Sequence, residues 1–173
     1  ALPCIAAAVL TDQPVTLKNF PEIEDVFVMF KIFESFGGTI VKTAQNEYTL
    51  QLKTVTGYEV PAPLAQKIRA SILFAGPLLA RHGKVMMTPP GGDVIGRRRL
   101  DTHFLALTEL GAQVKINGHF LFTANKLIGQ DIFLDEASVT ATENAVMAAV
   151  TAEGETIITN AASEPHIQDL CKL

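Results

Sequence analysis

The chain has 173 residues, 48% of them apolar, and its 14 Lys and Arg against 18 Asp and Glu give a formal net charge of −4. That is enough apolar material for a core without disulfides or metal, and the mild acidity argues against nucleic acid as the main partner. No apolar run approaches the roughly 18–20 uncharged residues of a membrane span, and residues 1–10 lack the basic start of a secretory signal, so a cytoplasmic protein with no membrane partner is expected.

Residues 1–10 read as a helix, followed by a turn at 11–14 and a strand at Val15–Leu17. Val26, Met29, Phe30, Phe33 and Phe36 recur at three and four residues and predict a helix to Phe36, closed by Gly37. A strand follows at 39–41, with 48–52 as its hairpin partner. The same order then recurs. A helix from 68 turns at His82 and Gly83 into a strand at 84–87. Asp101 opens a helix with Phe104, Leu107 and Leu110 in period and Gly111 past its end; a strand at 112–116 and its partner at 119–123 follow. A third helix at 141–150 turns at Glu153 and Gly154, makes a strand at 156–158, and passes Asn160 and Pro165 to a further helix near 167–169. Asp25 and Asp101 stand at helix starts, where a carboxylate can accept backbone N–H bonds. Cys4 and Cys171 lie far apart, outside any metal-ligand spacing, and are expected as small buried hydrophobes.

The recurring order helix, strand, helix, strand, strand predicts an α/β fold made of a small repeated unit, with copies near 1–56, 63–134 and 138–173. The third copy stops a few residues into its second helix, which is marginal at that length without tertiary support. A piece of a longer protein, cut at both ends, is therefore expected.

Residues 88–101 read Thr-Pro-Pro-Gly-Gly-Asp-Val-Ile-Gly-Arg-Arg-Arg-Leu-Asp. The lone carboxylate of Asp93 sits on a glycine-rich loop, and Arg97, Arg98 and Arg99 reverse the sign of the chain locally. The combination suits a site that handles an anion and moves a proton, and it also fits a solvated turn beside a surface charge run.

Several blocks together resemble the enolpyruvyl transferases, in particular those acting on UDP-N-acetylglucosamine. They are Ala1-Leu-Pro3, Ile68-Arg-Ala-Ser71 with residues 76–81, residues 90–96 with Arg98 and Asp101, Ser138-Val-Thr-Ala-Thr-Glu-Asn144, and residues 153–169. The resemblance covers the whole chain in order. It implies a two-domain protein, each domain an inside-out α/β barrel of three βαβαββ-type units, with the active site in the cleft between domains. This chain would hold most of one domain, and the second would be absent. The implied reaction moves the enolpyruvyl group of phosphoenolpyruvate to the 3′-hydroxyl of UDP-N-acetylglucosamine and releases phosphate, the first committed step of peptidoglycan synthesis, with no cofactor and no metal.

The resemblance also implies roles for residues. Asp93 takes the place of the loop acid that delivers the proton, a cysteine in many members, and so implies insensitivity to fosfomycin. Arg69 and Arg98 match ligand-contacting arginines, with Arg99 beside them. Leu100, Asp101, Thr102 and His103 match the segment that cradles uridine, and Glu136, Ala137, Ser138 and Val139 the segment that receives the diphosphate. The sequence departs from the family pattern at Arg99 (usually proline), Thr140 (usually glycine) and Ser163 (often arginine). The family's Lys-Asn pair, which should directly precede Ala1, is missing. These departures leave a divergent ligand preference open. The isolated chain is expected not to turn over. Asp93 is expected to titrate as an ordinary carboxylate there, because the neighbouring arginines oppose any rise from burial. Two alternatives stand beside this reading: a relative acting on shikimate 3-phosphate, and a non-catalytic domain that binds a sugar nucleotide or forms a homo-oligomer through surface left exposed.

Overall fold

The computed structural model describes residues 1–92 and 99–173. Helix α1 (Leu2–Ala7) runs into a 3₁₀ turn (Ala8–Leu10) and then β1 (Val15–Leu17), α2 (Glu24–Ser35), β2 (Thr39–Ala44) and β3 (Glu47–Gln51). Strand β3 lies between β1 and β2 and is antiparallel to both, with Leu50 opposite Val15 on one side and Ile40 on the other. The next stretch repeats that arrangement. After α3 (Ala62–Ala65), a 3₁₀ segment (Arg69–Phe74) and α4 (Ala75–His82) come β4 (Lys84–Met87), α5 (Asp101–Glu109), β5 (Gln113–Ile116) and β6 (Phe120–Thr123), in sheet order β4-β6-β5. The last stretch holds β7 (Asp131–Phe133), α6 (Val139–Ala149), β8 (Ile157–Thr159) and α7 (Pro165–Lys172), with β7 and β8 parallel.

The expected α/β content and the order of elements agree with the structure, and the differences have physical causes. Residues 69–74 are 3₁₀ rather than α-helical, and the Ser71 hydroxyl donates to the carbonyls of Ile68 and Ala65, a local bond that competes with helix geometry. Strand β7 carries no recognisable pattern, since only Ile132 of its three residues is buried. Asp25 and Asp101 do not cap their helices: the N-cap positions are Ile23 and Leu100, and Asp101 accepts from Arg99 instead. Cys171 is exposed and Cys4 only partly buried, so the expectation of two buried hydrophobes fails at the first and holds in part at the second. Burial still pushes the Cys4 thiol above its ordinary value. Helix α7 is anchored by Ile167 and Leu170, both buried, which supplies the tertiary support a short helix requires.

The core forms where apolar helix stripes meet sheet faces. Val26, Met29, Phe30 and Phe33 of α2 are buried at helical spacing, and Tyr48 and Leu50 of β3 point inward on alternate positions. Phe36 meets Phe74 edge-on at 5.4 Å, joining the first and second stretches; Phe104 packs on Phe122 at 5.5 Å beneath the second sheet. Helix α6 contributes mainly small residues, with Ala141, Ala145 and Ala148 all buried, so α4 and α5 approach it closely. Gly76, at the start of α4, is required there: a Cβ would lie 2.5 Å from the Asn144 carbonyl oxygen.

One side chain ties the first stretch to the second. Arg81 donates from Nη1 to the carbonyls of Val9 (2.8 Å) and Thr11 (2.7 Å), and from Nη2 to that of Lys53 (2.9 Å). These are charge-assisted bonds to three backbone carbonyls. Arg81→Met, which keeps much of the stem, is expected to lower the unfolding free energy by about 2–3 kcal/mol in urea titrations.

Candidate functional site

Three helical segments begin at one cavity of about 430 Å³. Arg69 opens the 3₁₀ segment before α4, Arg99 stands just ahead of α5, and Glu136, Ala137, Ser138, Val139 and Thr140 lead into α6; all seven line the cavity. Ser138 is the N-cap of α6, its Oγ accepting from the Ala141 N–H at 3.4 Å. Among the described residues the N–H groups of Val139 and Thr140 have no acceptor, as the first turn of a helix requires, so they remain donors at the cavity wall. The Thr142 hydroxyl donates to the Ser138 carbonyl at 2.8 Å and accepts from Ala162 N–H at 3.0 Å, which holds the loop after β8 against this turn.

Salt bridges fix the rim. Arg99 Nε donates to Asp101 Oδ2 at 2.8 Å and its Nη2 to Asp135 Oδ2 at 3.3 Å. Asp135 Oδ1 accepts from the Thr102 hydroxyl at 2.6 Å, and Arg69 Nη2 donates to the Arg99 carbonyl at 2.8 Å. The start of α5 is thereby tied to the loop before α6, and Arg69 is tied to the residue ahead of α5.

Behind the cavity lies a buried polar network. The Asn144 side chain, fully buried, accepts from Gly76 N–H through Oδ1 at 2.8 Å and donates from Nδ2 to the Ile72 carbonyl at 2.9 Å. Its second Nδ2 hydrogen reaches His103 Nδ1 at 2.9 Å, and His103 Nε2 reaches Thr140 Oγ1 at 3.1 Å. His103 is 1% exposed; burial, with a smaller contribution from the Arg69 cation, lowers its pKa to about 4.

The residues expected to bind ligand thus fall into three groups. Arg69, Arg99, Glu136, Ala137, Ser138 and Val139 meet at the cavity, while Leu100 and Asp101 follow Arg99 in the chain and are not among its lining residues. Thr102 and His103 are buried, their polar atoms bonded to Asp135, Asn144 and Thr140. Asp93, Arg97 and Arg98 lie outside the described residues. Sequence reasoning did not assign roles to Asp135, Thr140 and Asn144. The available signals were an acid three residues before an N-capping serine, and Asn144 six residues after it on the same helix.

A histidine buried as the neutral form resists protonation, whereas in the unfolded chain it titrates near about 6.5. Between those values the unfolded state binds more protons, so the contribution of His103 is complete above about pH 6.5 and is lost as pH falls toward 4. The loss amounts to about 3 kcal/mol. The His103 Cε1 resonance should stay that of a neutral imidazole down to about pH 5; titration of that signal near neutrality would show that the ring is not held this way.

The sequence profile of the EPSP synthase (3-phosphoshikimate 1-carboxyvinyltransferase) family matches residues 1–173. The chain is 68% identical over 173 residues to proteins named UDP-N-acetylglucosamine 1-carboxyvinyltransferase from Treponema denticola and Treponema pallidum, covering 100% of this chain and 41% of each relative. It therefore spans about two fifths of their length. Among solved structures, the enolpyruvyl transferase NikO from Streptomyces tendae superposes with a TM-score of 0.84 at 21% identity, over 99% of this chain and 40% of that one. EPSP synthase from Acinetobacter baumannii gives a TM-score of 0.74 at 21% identity, over 96% and 39%. The fold is therefore shared with enolpyruvyl transferases, and the chain belongs to the EPSP synthase family of carboxyvinyl transferases.

Proposed function

We propose that this chain forms the nucleotide-sugar side of an enolpyruvyl transferase acting on UDP-N-acetylglucosamine. The observation that carries the reading is the cavity where Arg69, Arg99 and the capped start of α6 converge. Helix starts and arginines are suited to phosphate oxygens, and the names of the Treponema relatives favour a UDP-sugar over shikimate 3-phosphate. In this reading the diphosphate lies against Ser138, the free N–H groups of Val139 and Thr140, and Arg69, with the uridine beside Leu100 and Asp101. Asp93 and Arg98 complete the site from the glycine-rich loop.

The chemistry is addition followed by elimination. Asp93 gives a proton to the methylene carbon of phosphoenolpyruvate while the sugar 3′-oxygen bonds to the adjacent carbon and loses its own proton. The new methyl group then returns a proton as the carbon–oxygen bond to phosphate breaks, which restores the double bond and releases phosphate. The whole protein, in this reading, closes two inside-out barrels of three units each around the cleft, works in the cytoplasm, and feeds peptidoglycan synthesis. The chain alone supplies binding without turnover.

Calorimetric titration of the chain with UDP-N-acetylglucosamine is expected to show binding that Arg69→Ala weakens by about tenfold or more. Preferential binding of shikimate 3-phosphate would instead assign the other substrate of this family.

The third sheet favours self-association as well. Phe133 (66%) and Ile157 (50%) are exposed on its strands, and Val150 (68%) and Leu173 (59%) are exposed at the ends of α6 and α7. Among the described residues β8 pairs only with β7, and a second cavity of about 450 Å³ is lined mainly by apolar side chains of the end of α1, the 3₁₀ turn after it, α6 and α7. Sedimentation should therefore depend on concentration, and Ile157→Lys should shift the chain toward monomer; a clean monomer at high concentration would rule out this partner.

A further inference from the structure

The buried network behind the cavity has only one consistent arrangement of hydrogens, and it ends at a side chain that lines the cavity. A backbone N–H can only donate and a carbonyl can only accept. Gly76 N–H therefore fixes Oδ1 of Asn144 as the acceptor, and the Ile72 carbonyl fixes Nδ2 as the donor. The amide cannot be flipped without setting two donors against each other at Gly76. Its remaining Nδ2 hydrogen faces His103, so Nδ1 of that ring accepts. A neutral imidazole with Nδ1 unprotonated carries its hydrogen on Nε2, and that hydrogen points to Thr140 Oγ1 at 3.1 Å. The lowered pKa of His103 agrees with a ring that stays neutral. Thr140 Oγ1 thus accepts from inside the protein, and its own hydrogen has no acceptor among the described residues.

We propose that Thr140 is a specificity-determining residue that donates its hydroxyl hydrogen to a phosphate oxygen of the ligand, in an orientation set by the chain Asn144, His103, Thr140. This deepens the nucleotide-sugar reading and rests on it. A hydroxyl with its hydrogen free and one of its two lone pairs already engaged favours an oxygen that only accepts, as phosphate oxygens do. A glycine at position 140 could offer the backbone N–H alone, so the side chain adds a donor at the start of α6. Asn144 and His103 act through Thr140 and are positioning residues.

The test uses the purified 173-residue chain, titrated calorimetrically with UDP and UDP-N-acetylglucosamine, beside Thr140→Val and Thr140→Ser. The valine variant keeps the branched shape and removes the hydroxyl; the serine variant keeps the hydroxyl. Thr140→Val is expected to weaken both ligands by about tenfold or more, with a lower urea midpoint because His103 Nε2–H loses its acceptor, and Thr140→Ser to restore most of both losses. Nitrogen-15 spectra are expected to show His103 protonated at Nε2. Equal affinity in Thr140→Val, equal weakening in both variants, or a proton on Nδ1 would each overturn the inference while leaving the nucleotide-sugar reading in place. Failure of the unaltered chain to bind either ligand would overturn that reading, and the inference with it.

Discussion

The site depends on a single buried amide. Asn144 holds α4 through Gly76, the segment before it through Ile72, and α5 through His103, all from the middle of α6. Each amide hydrogen and the carbonyl oxygen has a partner, so the network meets the condition under which buried polar groups specify one arrangement instead of destabilising it. Removing the side chain would leave a donor at Gly76 and an acceptor at His103 unpaired, each costing about 1–3 kcal/mol, while the Ile72 carbonyl would keep the Ala75 N–H as its donor. The absence of a Cβ at Gly76 is part of the same device, because α4 could not otherwise come close enough to be bonded. With the three helices locked at this depth, their starts cannot move independently, and Arg69, Arg99 and Ser138 keep their spacing at the cavity.

Much of the fold was legible because the signals are local. Helical spacing at Val26, Met29, Phe30 and Phe33 placed α2, and the alternation around Tyr48 and Leu50 placed β3. The glycines Gly37 and Gly111 take positive φ past the ends of α2 and α5, as their positions suggested. What escaped depends on partners distant in sequence. Strand β7 is three residues long and is a strand only because β8, some 26 positions later, lies beside it. The insertion of β3 between β1 and β2 could not be read from alternation, which fixes the buried face of a strand and not its neighbours.

The site divides in the same way. The Ser138 cap and the arginine at position 69 were visible as residue types at helix starts. That Thr102 and His103 turn inward was not, since the first turn of α5 is buried by α6 crossing it, and nothing within residues 99–110 encodes the crossing. Asp135 was overlooked for a related reason. Its two oxygens serve Arg99 and Thr102, both more than 30 residues earlier, so its role exists only in the folded chain.

Arg99 stands where the resemblance implies a proline. A proline at that point would stiffen the approach to α5 and offer no charge. The arginine achieves a comparable constraint by bonding to Asp101 and Asp135, while its carbonyl receives Arg69. The cost is electrostatic. Among the described residues around the cavity, Arg69 and Arg99 face the carboxylates of Asp101, Asp135 and Glu136, which leaves the rim mildly negative. A diphosphate would be repelled by such a rim alone. In the proposed reading its attraction rests on the uncharged donors at the α6 start, and the sequence supplies further positive charge in Arg97 and Arg98, which lie outside the described residues. The third arginine of the run is committed to holding the helix starts together, and a ligand phosphate would have to draw on other donors.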